Sequence, residues 1–274
     1  MTQYQELDTI LYVENLSVGY DGKQILKDIN IIEKNVVREG IESTGQVMAF
    51  IGRSGRGKST LFKALTGLLK PSTGQILITD MATDALDDAK PISEGDIGFV
   101  DQKYTLFRHK TVEQICQYAM RKLKMTKEEK EKVITNYLED WGLAEHRKKY
   151  SCELSGGQRQ RTAIIEQMLS NKHFMILDEP FSGLDVGNIE KVKQNFERIK
   201  NDNEYNTIIF STHDIRLAVE LADSIYIIGF PEGMTSYSTV VKHYDLKAMG
   251  LAWEEYGNGH RELVSEIKEV LLRS

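Results

Sequence analysis

The chain has 274 residues, 41% hydrophobic and 28% charged, a globular balance that excludes wholesale disorder. Lys plus Arg number 35 and Asp plus Glu 41, a net charge of −6, so the basic excess of a non-specific nucleic-acid binder is missing and no nucleic-acid partner is expected. No run approaches the ~18 apolar residues of a membrane-spanning helix. The start of the chain carries Glu6 and Asp8 instead of a secretion signal's apolar core, and the widely separated Cys116 and Cys152 read as free thiols in a reducing compartment.

In chain order, Leu11–Val18 alternates apolar and polar residues and leads into a Tyr20-Asp21-Gly22-Lys23 turn, which predicts an antiparallel β region. Short β-branched runs follow at Val47–Ile51, Ile97–Val100, Phe174–Leu177, Thr207–Phe210 and Ile225–Ile228, the pattern of buried strands. Between them lie helical patterns at Lys58–Thr66, Val112–Lys122, Lys127–Trp141, Gly156–Leu169, Asn188–Lys200 and Asp214–Leu221. This alternation predicts an α/β fold on a parallel sheet. The stretch from about 104 onward is helical and highly charged and reads as an insertion, and Arg261–Leu272 predicts one amphipathic helix.

The segment Gly52-Arg53-Ser54-Gly55-Arg56-Gly57-Lys58-Ser59-Thr60 follows a strand, precedes a helix and has the pattern G-x-x-x-x-G-K-[ST]. Its glycines let the backbone turn tightly and aim successive N–H groups at one anion. The following helix sets its positive end beneath the phosphates. Lys58 is placed to reach the β- and γ-phosphates and Ser59 to offer a hydroxyl to Mg²⁺. The loop alone specifies a nucleoside triphosphate and leaves kinase, GTPase and mechanical ATPase open.

Phe174–Leu177 ends in Asp178-Glu179-Pro180, which delivers two acids to the C-terminal edge of a strand, where ligands bind in open α/β sheets. Asp178 suits a water-mediated hold on Mg²⁺. Glu179 points to the other side of the strand and suits polarising the water that attacks the γ-phosphate. Leu154-Ser155-Gly156-Gly157-Gln158 opens a helix as a second anion cradle. One nucleotide needs one such cradle. The second is therefore either a plain capped helix or the counterpart for a nucleotide held by another subunit in a closed head-to-tail dimer.

With these residues the chain resembles, from about Leu7 to about Phe230, the ATP-binding subunits of ATP-binding-cassette (ABC) proteins. Gly52–Thr60 resembles the Walker A loop, Leu154–Gln158 the family signature, and Asp178 and Glu179 the Walker B aspartate and catalytic glutamate. Tyr20 resembles the aromatic that stacks on adenine. Gln102 resembles the glutamine that senses Mg²⁺ and the lytic water, Ser182–Asp185 the loop communicating across the dimer, and His213 the switch histidine at the γ-phosphate.

The resemblance implies a P-loop NTPase of ABC-ATPase type: a parallel-sheet core with an antiparallel β subdomain and a helical subdomain. An ATPase domain over residues 1–235 would hold the helical subdomain at about 104–165, with 236–274 a short extension ending in a helix. It implies ATP and Mg²⁺ as cofactors. Catalysis would fall to Glu179, His213 and Gln102, and metal binding to Ser59, Gln102 and Asp178. The nucleotide would be held by Tyr20, Gly52, Arg53, Ser54, Gly55, Arg56, Gly57, Lys58, Ser59 and Thr60 of one subunit and by Ser155, Gly156, Gly157 and Gln158 of the other. The implied partners are a second copy, a transmembrane permease and a solute-binding protein, with the chain peripheral on the cytoplasmic face of the inner membrane.

The pattern around Asp178–Asp185 and Gln102–Val112 is similar to nitrate, sulfonate and taurine importers, which implies import of a small solute. An exporter or lipid-extraction ATPase and a soluble non-transport ABC ATPase stand as alternatives. Three features depart from the family pattern: an insertion at Asn35–Thr44, Arg56 where a small residue is common, and Glu166 where an Arg is frequent.

Overall fold

The alternation at the start of the chain becomes a long hairpin of β1 (Tyr4–Tyr20) and β2 (Lys23–Arg38). Asp21 (φ 48°) and Gly22 (φ 77°) form its turn, two successive left-handed residues of the kind that match strand twist. The remaining elements are β3 (Gln46–Ile51), α1 (Lys58–Leu65), β4 (Thr73–Thr79), β5 (Ala89–Pro91), β6 (Gly98–Val100), α2 (Val112–Ala119), α3 (Lys127–Asp140), α4 (Gly156–Leu169), β7 (Phe174–Leu177), α5 (Val186–Asp202), β8 (Thr207–Thr212), α6 (Ile215–Leu221), β9 (Ser224–Gly229), β10 (Thr239–Asp245) and α7 (Asn258–Arg273). This computed structural model describes residues 3–38, 45–79, 89–170, 172–203 and 205–274. Of the insertion read at Asn35–Thr44, the first four residues continue β2 and 39–44 lie outside the described residues.

The strands form two sheets. One is antiparallel with order β2-β1-β4-β5; the other has order β10-β9-β3-β8-β7-β6. In the second, β9, β3, β8, β7 and β6 run parallel and β10 closes the edge antiparallel to β9. All six residues of β3 are buried because both of its faces are covered. Val47, Ala49 and Ile51 pack toward the layer that includes α2, α4, α5 and α6, while Met48 and Phe50 pack toward α1 and the antiparallel sheet. Phe50 meets Phe62 edge-on at 5.6 Å and stacks on Tyr226 at 5.2 Å, which ties α1 and β9 to β3.

Three features differ from the sequence expectation. The helix expected over Val112–Lys122 stops at Ala119 and finishes as a 3₁₀ turn, Met120–Lys122, which tucks Met120 into the core. β4 and β5 join the antiparallel sheet. Past residue 235 the chain supplies β10 as well as a helix, and Tyr244, Leu246, Leu263 and Ile267 are buried in the same core as β3 and β8.

Candidate nucleotide site

The loop between β3 and α1 has the shape its glycines allow. A Cβ at Gly52 would stand 2.4 Å from the Ile228 carbonyl oxygen. At Gly57 (φ 94°) it would stand 2.8 Å from the Leu26 side chain. Gly57 caps α1 without a side-chain hydrogen bond, so the first N–H groups of the helix are left for a ligand. The nearly buried Lys58 ammonium donates to the Gly52 carbonyl at 2.7 Å and lies 3.5 Å from Glu179 Oε1. The Arg56 guanidinium sits 3.7 Å over the Phe230 ring, which braces the loop against the end of β9.

Strand order brings the remaining groups together. β6, β7 and β8 are parallel neighbours, so their C-terminal ends deliver Gln102, the Asp178–Glu179 pair and the Ser211–His213 segment to one edge, beside the loop that follows β3. Ser211, fully buried, donates to Asp178 Oδ1 at 2.6 Å and accepts the Glu179 N–H at 2.8 Å. One hydroxyl thus fixes both acids and holds Glu179 in a left-handed conformation (φ 50°), which is costly for a residue with a Cβ. Glu179 Oε2 lies 3.0 Å from His213 Nδ1, and the His213 side chain is 71% exposed. The glutamate therefore sits between a lysine and a histidine in a largely shielded position.

A cavity of about 470 Å³ is lined by Tyr20, Ser54–Thr60, Gln102, Asp178, Glu179 and His213, with Ile25 and Ser182. Gly52 and Arg53 do not line it; Gly52 touches the lining through its carbonyl contact with Lys58, and Arg53 is exposed. Ser59, Gln102 and Asp178 offer oxygen donors, the hard ligands that suit Mg²⁺. Sequence reasoning assigned Ser211 no role; its one signal was a hydroxyl directly after the apolar run of β8.

Ser155, Gly156, Gly157 and Gln158 do not line this cavity. They start α4 with a reciprocal cap: Ser155 Oγ accepts the Gln158 N–H at 3.3 Å and Gln158 Oε1 accepts the Ser155 N–H at 2.9 Å. A Cβ on Gly156 would meet no described atom within 4 Å, and one on Gly157 only Arg161 Nη1 at 3.8 Å.

Fold and cavity together define a nucleoside-triphosphate-binding protein of the phosphate-loop class. The family model described as ABC transporter matches residues 41–182, more than half of the sequence. The chain belongs to the ABC transporter family.

Among similar proteins, the sulfate/thiosulfate import ATP-binding protein CysA of Synechococcus elongatus is 33% identical over 218 residues, 80% of this chain and 59% of that protein. This chain thus spans less than two thirds of that relative's length. A Chlorella vulgaris protein named "Probable sulfate/thiosulfate import ATP-binding protein CysA" is 32% identical over 80% of this chain and 86% of its own. The solved structure of cbiO1 from Clostridium perfringens, described as part of the ABC transporter complex cbiONQ, is similar with TM-score 0.69 and 30% identity, covering 90% of this chain and 92% of that one.

Proposed function

We propose that this chain is the ATP-hydrolysing subunit of an ABC transporter, that it dimerises around two ATP molecules, and that it drives a membrane permease importing a small solute. The observation that carries this reading is the single cavity into which separate segments bring Lys58, Ser59, Gln102, Asp178, Glu179 and His213. The phosphates lie along the N–H groups of the Gly52–Thr60 loop and the start of α1, with Lys58 on the β- and γ-phosphates and Tyr20 at the adenine. Ser59 and Asp178, with Gln102 beside them, would hold Mg²⁺, which would supply charge neutralisation at the phosphates. Glu179 polarises the attacking water and His213 orients toward the γ-phosphate. Lys58 and His213 both engage Glu179. An arriving γ-phosphate competes with that carboxylate for the lysine and frees Glu179 to face the water.

The second cradle supports the dimer. Its glycines have room for side chains within this chain, so their need lies outside it, at a phosphate brought by a second copy. The import role rests on the likeness to the sulfate/thiosulfate import proteins above. Among the described residues no helix is long and apolar enough to cross a membrane. By analogy with the import proteins it resembles, we place the chain on the cytoplasmic face of the inner membrane, beneath a permease and served by a solute-binding protein.

Glu179→Gln tests the chemistry. Loss of the general base lowers turnover by about 100-fold or more while ATP still binds; unchanged turnover contradicts the assignment of Glu179. Isolation from native membranes in mild detergent tests the partners. A permease with an extracytoplasmic binding protein supports import, a permease alone points to export or lipid extraction, and soluble partners only contradict the transport reading.

A further inference from the structure

The cap at the start of α4 has a third member that its own motif does not contain. Gln158 Nε2 lies 2.8 Å from His146 Nε2, a residue of the 3₁₀ turn Ala144–His146 that follows α3. The network fixes the polarity of this contact. Gln158 Oε1 accepts the Ser155 N–H, so the Gln158 amide nitrogen faces His146 and donates. The imidazole therefore accepts at Nε2 and carries its proton on Nδ1, which is buried and without a partner among the described residues.

We infer that His146 is a positioning residue for ATP-driven dimer closure: as a neutral acceptor it locks the Gln158 side chain, and through it the direction of the free Gly156 and Gly157 N–H groups.

This role rests on the proposed ATP-dependent dimer, whose second cradle His146 aims through Gln158. The reciprocal cap uses the N–H groups of Ser155 and Gln158. The two donors between them, those of Gly156 and Gly157, have no intrahelical acceptor and remain for an anion. Their aim depends on the cap, and the cap depends on one Gln158 rotamer. Ser155 holds that side chain from one end and His146 from the other.

The next residue shows where His146 is itself anchored. Arg147 donates to Glu113 Oε1 of α2 at 2.7 Å and to Thr135 Oγ1 of α3 at 3.0 Å, and also pairs with Glu131 of α3. A movement of α2 and α3 is therefore carried by two adjacent side chains to the donors that meet the partner's nucleotide. Preorganised donors act through fixed direction, so a looser cap weakens closure and leaves the chain's own phosphate loop untouched.

The test uses the full chain with Glu179→Gln, which holds ATP without turnover. His146→Leu removes the acceptor; His146→Gln restores one through its carbonyl. Two quantities are measured: the ATP concentration at half-maximal dimer in sedimentation, and ADP affinity, which reports the chain's own loop and its folding. The expected result is about a tenfold higher ATP requirement for His146→Leu, the scale of one lost hydrogen bond. Recovery to within about twofold is expected for His146→Gln on the same scale, with ADP affinity unchanged in both.

A coupled pair guards against a general packing effect. In a Gln158→Leu background, His146→Leu adds nothing further if it acts through Gln158. Dimerisation of His146→Leu at the parent's ATP concentration overturns the inference, as does a full additional loss in the Gln158→Leu background. A parent that binds ATP and stays monomeric overturns the dimer reading itself, and the inference with it.

Discussion

At the residue scale, the two glycines of the second cradle separate stability from function. Among the described residues a methyl group at Gly157 would meet only Arg161 Nη1, at an ordinary contact distance of 3.8 Å. Gly157→Ala should therefore stabilise the fold by about 0.5–1 kcal/mol, the usual gain of alanine over glycine in a helix. It should at the same time lose ATP-driven dimerisation, because the methyl group occupies the approach of a phosphate. Urea unfolding and sedimentation on the same sample check both halves.

Glu166 makes a pH-dependent prediction. Burial pushes its carboxyl up to about 7 from 4.5, with Arg121 pulling the other way. The native state thus holds a proton that the unfolded chain releases. Its contribution is fully present below pH 4.5 and is lost as pH rises through about 7. The total is at most about 3 kcal/mol, from 1.36 kcal/mol per pKa unit. Glu166→Gln should match the parent near pH 4.5 and exceed it in stability at pH 8, as measured by urea unfolding at the two values. The sequence marked Glu166 as unusual; only its surroundings give it a titration. The gathering of Lys58, Asp178 and Glu179 around one cavity was readable from sequence because each follows the end of a buried apolar strand. Ser211 and His146 were not, because each contacts a residue that only folding brings near.

At the element scale, the buried strands β3, β7 and β8 were legible from continuous β-branched runs, since both of their faces lie in apolar surroundings. β10 was not. Its burial is confined to one end and its residues Lys242 and His243 are exposed, so the pattern never resembles a core strand. β10 leads into Lys247, whose ammonium is buried 3.8 Å from Glu33 Oε2 of β2. Ser224 and Tyr226 of β9 donate to the other oxygen of Glu33, at 2.5 and 2.8 Å. Burial raises the Glu33 carboxyl even with Lys247 beside it, so this polar link between β2, β9 and the C-terminal segment is a costly one. Lys247→Met should destabilise the chain by about 3–5 kcal/mol, the penalty of stranding a buried charge. Adding Glu33→Gln should recover much of that loss in urea unfolding.

At the scale of the whole molecule, the parallel sheet gathers Lys58, Ser59, Gln102, Asp178, Glu179 and His213 around one cavity at its C-terminal edge and leaves the Ser155–Gln158 cap outside that cavity. A lone chain built this way binds a nucleotide on one side only. Two copies arranged head to tail give each nucleotide a loop from one copy and a capped helix from the other, and the closed symmetry uses every cradle. In the proposed dimer, ATP is the ligand that favours the closed pair and hydrolysis removes that preference.

The central claim is that the two cradles meet across a dimer. Sedimentation velocity of the Glu179→Gln protein with ATP and Mg²⁺ tests it most directly, with Ser155→Arg added as the paired variant. The account predicts an ATP-dependent dimer for Glu179→Gln, and an ATP-bound monomer once Ser155→Arg blocks the second cradle. A dimer that survives Ser155→Arg, or a Glu179→Gln chain that binds ATP and remains monomeric, would contradict it.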